Sequence, residues 1–116
     1  MLDVFAYNLG YWTARSGQPG VFVSASLRVG YQHGAVDLAL DSSDVQGELR
    51  ETLRALSRAH EAWFAAAAAS DRAGQQAASD RAKSLMQGLV GLETLRGVSP
   101  ALWARVHIAP GINLVL

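Results

Sequence analysis

Between Val45 and Ala67 the apolar positions recur every three or four residues: Val45, Leu49, Leu53, Leu56, His60, Trp63 and Ala67. That spacing returns to one face of an α-helix and to no single face of a strand, so it constrains the chain more than any other stretch. Ser43 followed by Gln46 has the pattern of a capping box and predicts the helix start. The helix would run about 25 residues, roughly 38 Å. Ala65–Ala69 extends it with a flat surface of small side chains that a neighbouring helix can approach closely. A turn is expected near residues 70–77, where Gly74 is the strong breaker. A second helix is expected from about Ser79 to Arg96, striped by Leu85, Leu89, Leu92 and Leu95. Its Gly88 and Gly91 each cost about 1 kcal/mol against alanine, which implies close packing on another backbone. Gly97 suits the helix end, and Arg96 complements the negative end of its dipole. The segment Ala69–Ala73 recurs as Ala78–Ala82, and both copies read as helix-terminus chemistry rather than as a repeat.

Residues 1–41 read as an antiparallel β-meander. With a two-residue turn at His33–Gly34, Tyr31 faces Val36, Val29 faces Leu38 and Leu27 faces Leu40 on one side. The opposite side pairs Gly30 with Asp37, Arg28 with Ala39 and Ser26 with Asp41, so one face is apolar and the other largely polar. Asp3 to Thr13 supplies a first strand, with Phe5, Tyr7, Leu9 and Tyr11 alternating on one side. The rival is an N-terminal helix carrying Leu2, Phe5, Leu9 and Trp12 on one stripe. Gln18-Pro19-Gly20 has the order of a type II turn. Ser99-Pro100 opens a short helical turn through Trp103, and Arg105–Ile108 reads as a strand. Pro110-Gly111 interrupts it before an apolar end, Ile112–Leu116, that is either a short strand or a docked tail. The expected fold class is therefore α+β in the order β-β-β-α-α-β. It forms one domain over 1–116: a meander (1–41), a two-helix hairpin (42–97) and a short helical turn with a closing β-segment (98–116).

The totals narrow the function more than they define it. The chain has 116 residues and a formal net charge of zero, with ten basic and ten acidic side chains. A general nucleic-acid binder carries a basic excess, so that class is set aside. No cysteine is present, which removes disulfides, thiol catalysis, zinc–thiolate sites and iron–sulfur clusters. The longest apolar run, Ala62–Ala69, falls far short of the roughly 20 residues of a membrane helix. The N-terminus lacks the basic and apolar pattern of a secretory signal. A soluble protein of the cytoplasm or of a virion is expected.

Candidate chemistry is sparse. His33, His60 and His107 lack neighbours at metal-ligand spacing, so no metal site is expected. His33 reads as a turn residue, His60 as a hydrogen-bonded histidine on the apolar stripe, and His107 as an exposed strand residue. There is no Gly-x-Ser-x-Gly elbow, no Gly-x-Gly-x-x-Gly loop and no Walker lysine, Lys83 being the only lysine. No catalytic residue and no cofactor are expected. Arg50, Arg54 and Arg58 stand at i, i+4 and i+8 along one helix edge. Glu51 and Glu61 lie three residues from Arg54 and Arg58, so an ordinary solvated face explains the row. The functional alternative is a row of guanidinium forks for an anionic ligand or an acidic partner patch. Trp63 and Phe64 point about 100° apart, so both are covered only if a wide arc of helix is buried. A second subunit is one way to cover it.

Three functions follow in order. The first is a non-enzymatic, self-associating structural or adaptor protein, such as a small phage, virion or assembly component. Its partner-binding candidates are Arg50, Arg54, Arg58, Trp63 and Phe64. The second is a module binding a nucleotide or other anion through the arginine row, with aromatic stacking. The third is a small enzyme using Asp37, Asp41 or His33.

Overall fold

Where the alternating pattern suggests strands, residues 4–15 and 25–40 form two helices. The computed structural model describes residues 2–19, 24–89 and 93–99. Its helices are α1 (Val4–Arg15), α2 (Ala25–Leu40), α3 (Gly47–Ala68), α4 (Arg72–Gln87) and α5 (Glu93–Val98). No strand occurs among the described residues, so the α+β class and its N-terminal β-meander are overturned. The expected C-terminal β-segment, with His107 and the helical turn through Trp103, lies outside the described residues.

The physical reason is clearest in α2. Val29 to Val36 are eight consecutive buried residues. A helix covered on every side has no polar face, and its apolar positions then fit a period of two as well as one of 3.6. Ser24 starts this helix by accepting a hydrogen bond from the Leu27 amide at 3.2 Å. His33 and Gly34, read as a turn, lie in its middle. In α1 the apparent alternation splits: Tyr7 is buried, whereas Phe5 and Leu9 face outward. The inward positions are Tyr7, Gly10 and Ala14, at helical spacing. Asp3 caps α1 through the Ala6 amide at 3.0 Å, and its own amide donates to Ser26 Oγ of α2 at 3.0 Å.

Small residues let α1 and α2 touch backbone to backbone. A Cβ built on Gly30 would lie 2.0 Å from the Tyr7 carbonyl oxygen, and one on Gly34 would lie 2.1 Å from that of Tyr11. A Cβ on Gly10 would lie 2.3 Å from the Leu27 carbonyl oxygen. At each point the glycine hydrogen occupies that direction and aims at a carbonyl, the geometry of a Cα–H···O contact.

The α3–α4 hairpin follows the stripe. Val45, Leu53, Leu56, His60 and Trp63 are buried, while Leu49 and Ala67 are partly buried. The expected Ser43–Gln46 capping box does not form. Gln46 is itself the N-cap residue and makes no side-chain capping bond, and its side-chain Nε2 donates instead to the Ser43 carbonyl at 3.2 Å. The turn is tighter than expected, with Ser70 alone in the left-handed region at φ 55°. Asp71 then caps α4 through the Gly74 amide at 3.0 Å, so Gly74 sits inside the first turn of α4 rather than breaking the chain. The expected second helix over Ser79–Arg96 is divided into α4 and α5.

Two apolar clusters result. The larger joins Tyr31, Ala35, Val36 and Ala39 of α2 to Leu53 and Leu56 of α3, with Ala82 and Met86 of α4 and Leu89 and Leu95 beyond. The smaller joins Tyr7, Val29, Trp63 and Ala78, with Leu2, Phe64 and Ala67 packed against it. No helix among the described residues is long and apolar enough to cross a membrane.

Candidate functional site

Three pairs spaced i, i+4 meet where α1, α2 and α3 come together: Tyr7 and Tyr11, His33 and Asp37, Ser57 and Glu61. Each pair occupies one face of its helix over a single turn. The hydroxyl of Tyr7 lies 2.9 Å from His33 Nδ1. His33 Nε2 lies 3.2 Å from Ser57 Oγ and 3.4 Å from Asp37 Oδ2. Ser57 donates to Asp37 Oδ1 at 2.7 Å, and Tyr11 donates to Asp37 Oδ2 at 2.5 Å.

This pattern fixes the histidine proton. The single hydroxyl hydrogen of Ser57 goes to Asp37, so Ser57 can only accept from His33. Nε2 therefore carries the hydrogen, and Nδ1 accepts from Tyr7. Both ring nitrogens are engaged. Ser, His and Asp are all present, yet the serine proton is directed at the carboxylate and not at the imidazole. A hydrolytic triad needs the reverse order. The group forms instead a closed polar latch across three helices, with Tyr11 and Ser57 both donating to Asp37 and His33 joined to Tyr7 and Ser57.

Burial and charge tune the latch. Burial pushes the Tyr7 hydroxyl well above the ordinary tyrosine range, with the Asp37 and Glu61 carboxylates adding to the effect. Tyr11 is pushed up to about 12, by burial first and then by its hydrogen bond to Asp37. Burial lowers His33 below its ordinary value, and the fields of Asp37 and Glu61 oppose that shift only in part. The groups around His33 are Tyr7 and Tyr11 of α1, Asp37 of α2, and Ser57, His60 and Glu61 of α3. His60 stacks on it with ring centroids 5.3 Å apart.

A depressed histidine means that the unfolded chain binds the proton more readily than the fold does. The contribution of His33 to stability is thus full above pH 6.5. It falls as the pH drops from 6.5 through the lowered folded-state value, and is constant below that. Urea denaturation between pH 4.5 and 8 should show this loss in the wild type. In His33→Gln the same descent should be shallower; equal slopes in the two proteins would remove His33 as the source.

Beside the latch lies a cleft of 280 Å³ between α1 and α3. Tyr7, Asn8, Tyr11 and Trp12 line one side, Glu61 and Phe64 the other, and His33 the floor. Tyr7 meets Phe64 edge-on with centroids 4.7 Å apart, and Tyr11 meets Trp12 edge-on at 5.0 Å. Among the described residues no three histidine, aspartate or glutamate side chains gather as a metal ion would require.

The residues singled out from the sequence are scattered. Arg54 and Arg58 are exposed, while Arg50 is half-buried and donates to the Val45 carbonyl at 3.1 Å. Trp63 is buried and stacks on Tyr7 with centroids 6.2 Å apart, so it belongs to the core. Phe64 alone reaches the cleft. The arginine row and the aromatic rings are not brought together around one pocket. Of the three residues considered for catalysis, His33 and Asp37 do converge, whereas Asp41 leaves them to pair with Arg15. Tyr7, Tyr11, Ser57 and Glu61 were missed. Their signal is the i, i+4 pairing, which becomes visible only once residues 4–15 and 25–40 are read as helical. Compared with known proteins, the chain matches no family model, no curated protein and no solved structure.

Proposed function

We propose that this chain is a non-enzymatic, self-associating structural or adaptor protein whose first helix pairs with that of a second copy. One observation carries this reading: Val4, Phe5, Leu9 and Trp12 of α1 are 50, 77, 49 and 62 % exposed. Phe5, Leu9 and Trp12 follow one another by four and then three residues, the spacing of a helix-pairing seam. Single exposed apolar residues need no explanation, but a row of large ones along one helix does.

A second copy fits this face for two reasons. The formal net charge is zero, so no long-range repulsion keeps copies apart. The face also complements itself. Two α1 helices running antiparallel about an axis near residues 8–9 place Phe5 of one copy on Trp12 of the other, as an isologous interface requires. The helix is 12 residues long, or about 18 Å. A seam of that length buries less than the roughly 1,600 Å² of a standard interface, so it supports micromolar rather than nanomolar pairing.

Sedimentation-equilibrium runs from 5 µM to 1 mM, about the range that such an affinity spans, provide the test. A monomer–dimer equilibrium is expected in the wild type, with Phe5→Ser and Trp12→Ser monomeric throughout. A wild type that stays monomeric at the top concentration would defeat the proposal. So would a dimer that neither substitution weakens.

A further inference from the structure

The geometry points to a binding site of a different kind in the cleft between α1 and α3: a pocket for a methylated ammonium group. The proposal goes beyond self-association, and the two surfaces share only Trp12.

The chemistry of the walls selects a cation. Tyr7, Tyr11, Trp12 and Phe64 contribute four aromatic rings to a cleft of 280 Å³. They form two edge-to-face pairs, Tyr7 with Phe64 from α1 to α3 and Tyr11 with Trp12 within the α1 wall, so the rings meet at an angle in both pairs. Rings set as corners offer their negative faces to a positive group from more than one direction. Trp12, the strongest cation–π partner among side chains, is 62 % exposed in a single copy, so its indole is accessible whenever the α1 face is unpaired.

The charges agree with the rings. Glu61 lines the cleft, and Asp37 lies behind Tyr11, bonded to its hydroxyl. Among the described residues no lysine or arginine lines the cleft. The nearby Arg15 pairs with Asp41 and also reaches the Tyr11 hydroxyl, where its effect is outweighed by that of Asp37. The two carboxylates make themselves felt inside the site, since both act on Tyr7 and on His33. An anion would meet a negative field here, and a neutral apolar group would gain nothing from Glu61.

The shape favours a methylated ammonium over a primary one. A bare ammonium is strongly hydrated and needs hydrogen-bond acceptors to replace its water. Apart from Glu61 and Asn8 the walls offer mostly carbon: both nitrogens of His33 are already engaged, and the Tyr11 hydroxyl is donating to Asp37. A methylated ammonium has no such need and presents apolar surface to the rings while keeping its charge.

Amide chemical-shift titrations test this with tetramethylammonium chloride and choline chloride, against sodium chloride at matched ionic strength and against tert-butanol as the neutral isostere. They are run on the wild type and on Phe5→Ser. Phe5→Ser keeps every lining residue of the pocket and frees Trp12 from the α1 seam, so failure of the seam stays distinct from failure of this site. Both cations should give saturable shifts at Asn8, Glu61 and Phe64 in the millimolar range, about what a small group in an open cleft reaches. Tert-butanol and sodium chloride should not saturate. Trp12→Leu keeps an apolar side chain but removes the π face, and Glu61→Gln removes the charge; each should weaken binding about five- to tenfold. The proposal is overturned by no saturable shift with either cation, by equal saturation with tert-butanol, or by unchanged affinity in both variants.

Discussion

Replacing Gly30 with alanine should destabilise the protein by about 3 kcal/mol or more, at the upper end of overpacking. The added methyl would sit 2.0 Å from the Tyr7 carbonyl oxygen, 2.8 Å from its carbonyl carbon and 2.9 Å from its Cα. All three atoms belong to the backbone, so no side chain can swing aside. Relief requires α1 to move away from α2 by more than 1 Å, on the order of the gap to an ordinary van der Waals distance. That movement would also carry the Tyr7 hydroxyl away from His33 Nδ1 and loosen the latch. Alanine gains up to about 1 kcal/mol over glycine from helix propensity, which offsets only part of the loss. Gly97 provides the internal control: among the described residues nothing lies within 4 Å of a Cβ there, so Gly97→Ala should be close to neutral. Urea midpoints of the two variants measure the difference. A Gly30→Ala protein as stable as the wild type would mean that α1 does not lie on α2 at this distance.

The same glycines show why half of the fold was hard to read. Gly30 and Gly34, with Gly10 and Ala14 on the other helix, are small residues at i, i+4, a mark of helices in backbone contact. In the sequence they also fit a turn and a strand, because glycine is neutral between those readings. The alternation of Leu27, Val29 and Tyr31 with Val36, Leu38 and Leu40 is real, but it arises from a helix buried all round. In α1 the pattern misled in another way. The stripe of Phe5, Leu9 and Trp12 correctly marks a helix, yet it faces outward while glycine and alanine face the core. The α3 stripe was legible because one side of that helix is wet, leaving charged residues such as Glu51, Arg54 and Arg58 to define the period. The site depended on the part that was misread. Tyr7, Tyr11, His33 and Asp37 all lie on α1 and α2, so their convergence with Ser57 and Glu61 could not emerge from a meander. His33 and Asp37 were noticed as chemistry. Their i, i+4 relation had no meaning while His33 was placed in a turn.

Two tryptophans now carry opposite expectations under the same substitution. Trp63→Ala should cost about 3–5 kcal/mol of stability, as expected for a large aromatic removed from a core. The indole is 5 % exposed, stacks on Tyr7 at an interplanar angle of 16° and packs among Val29 and Ala78. Its loss opens a cavity that α1 and α4 must both move to fill, and the residual volume adds about 24 cal/mol per Å³. Trp12→Ala removes the same side chain from a position 62 % exposed, where stability should change by no more than about 0.5 kcal/mol. Trp12 should matter instead for association of copies and for the methylated-ammonium pocket. Denaturant midpoints and sedimentation of both variants separate the two roles. The expected result is an unstable Trp63 variant and a stable, monomeric Trp12 variant. If Trp63→Ala left stability intact and abolished self-association, Trp63 would be a contact residue between subunits, and the smaller core cluster would have been misassigned.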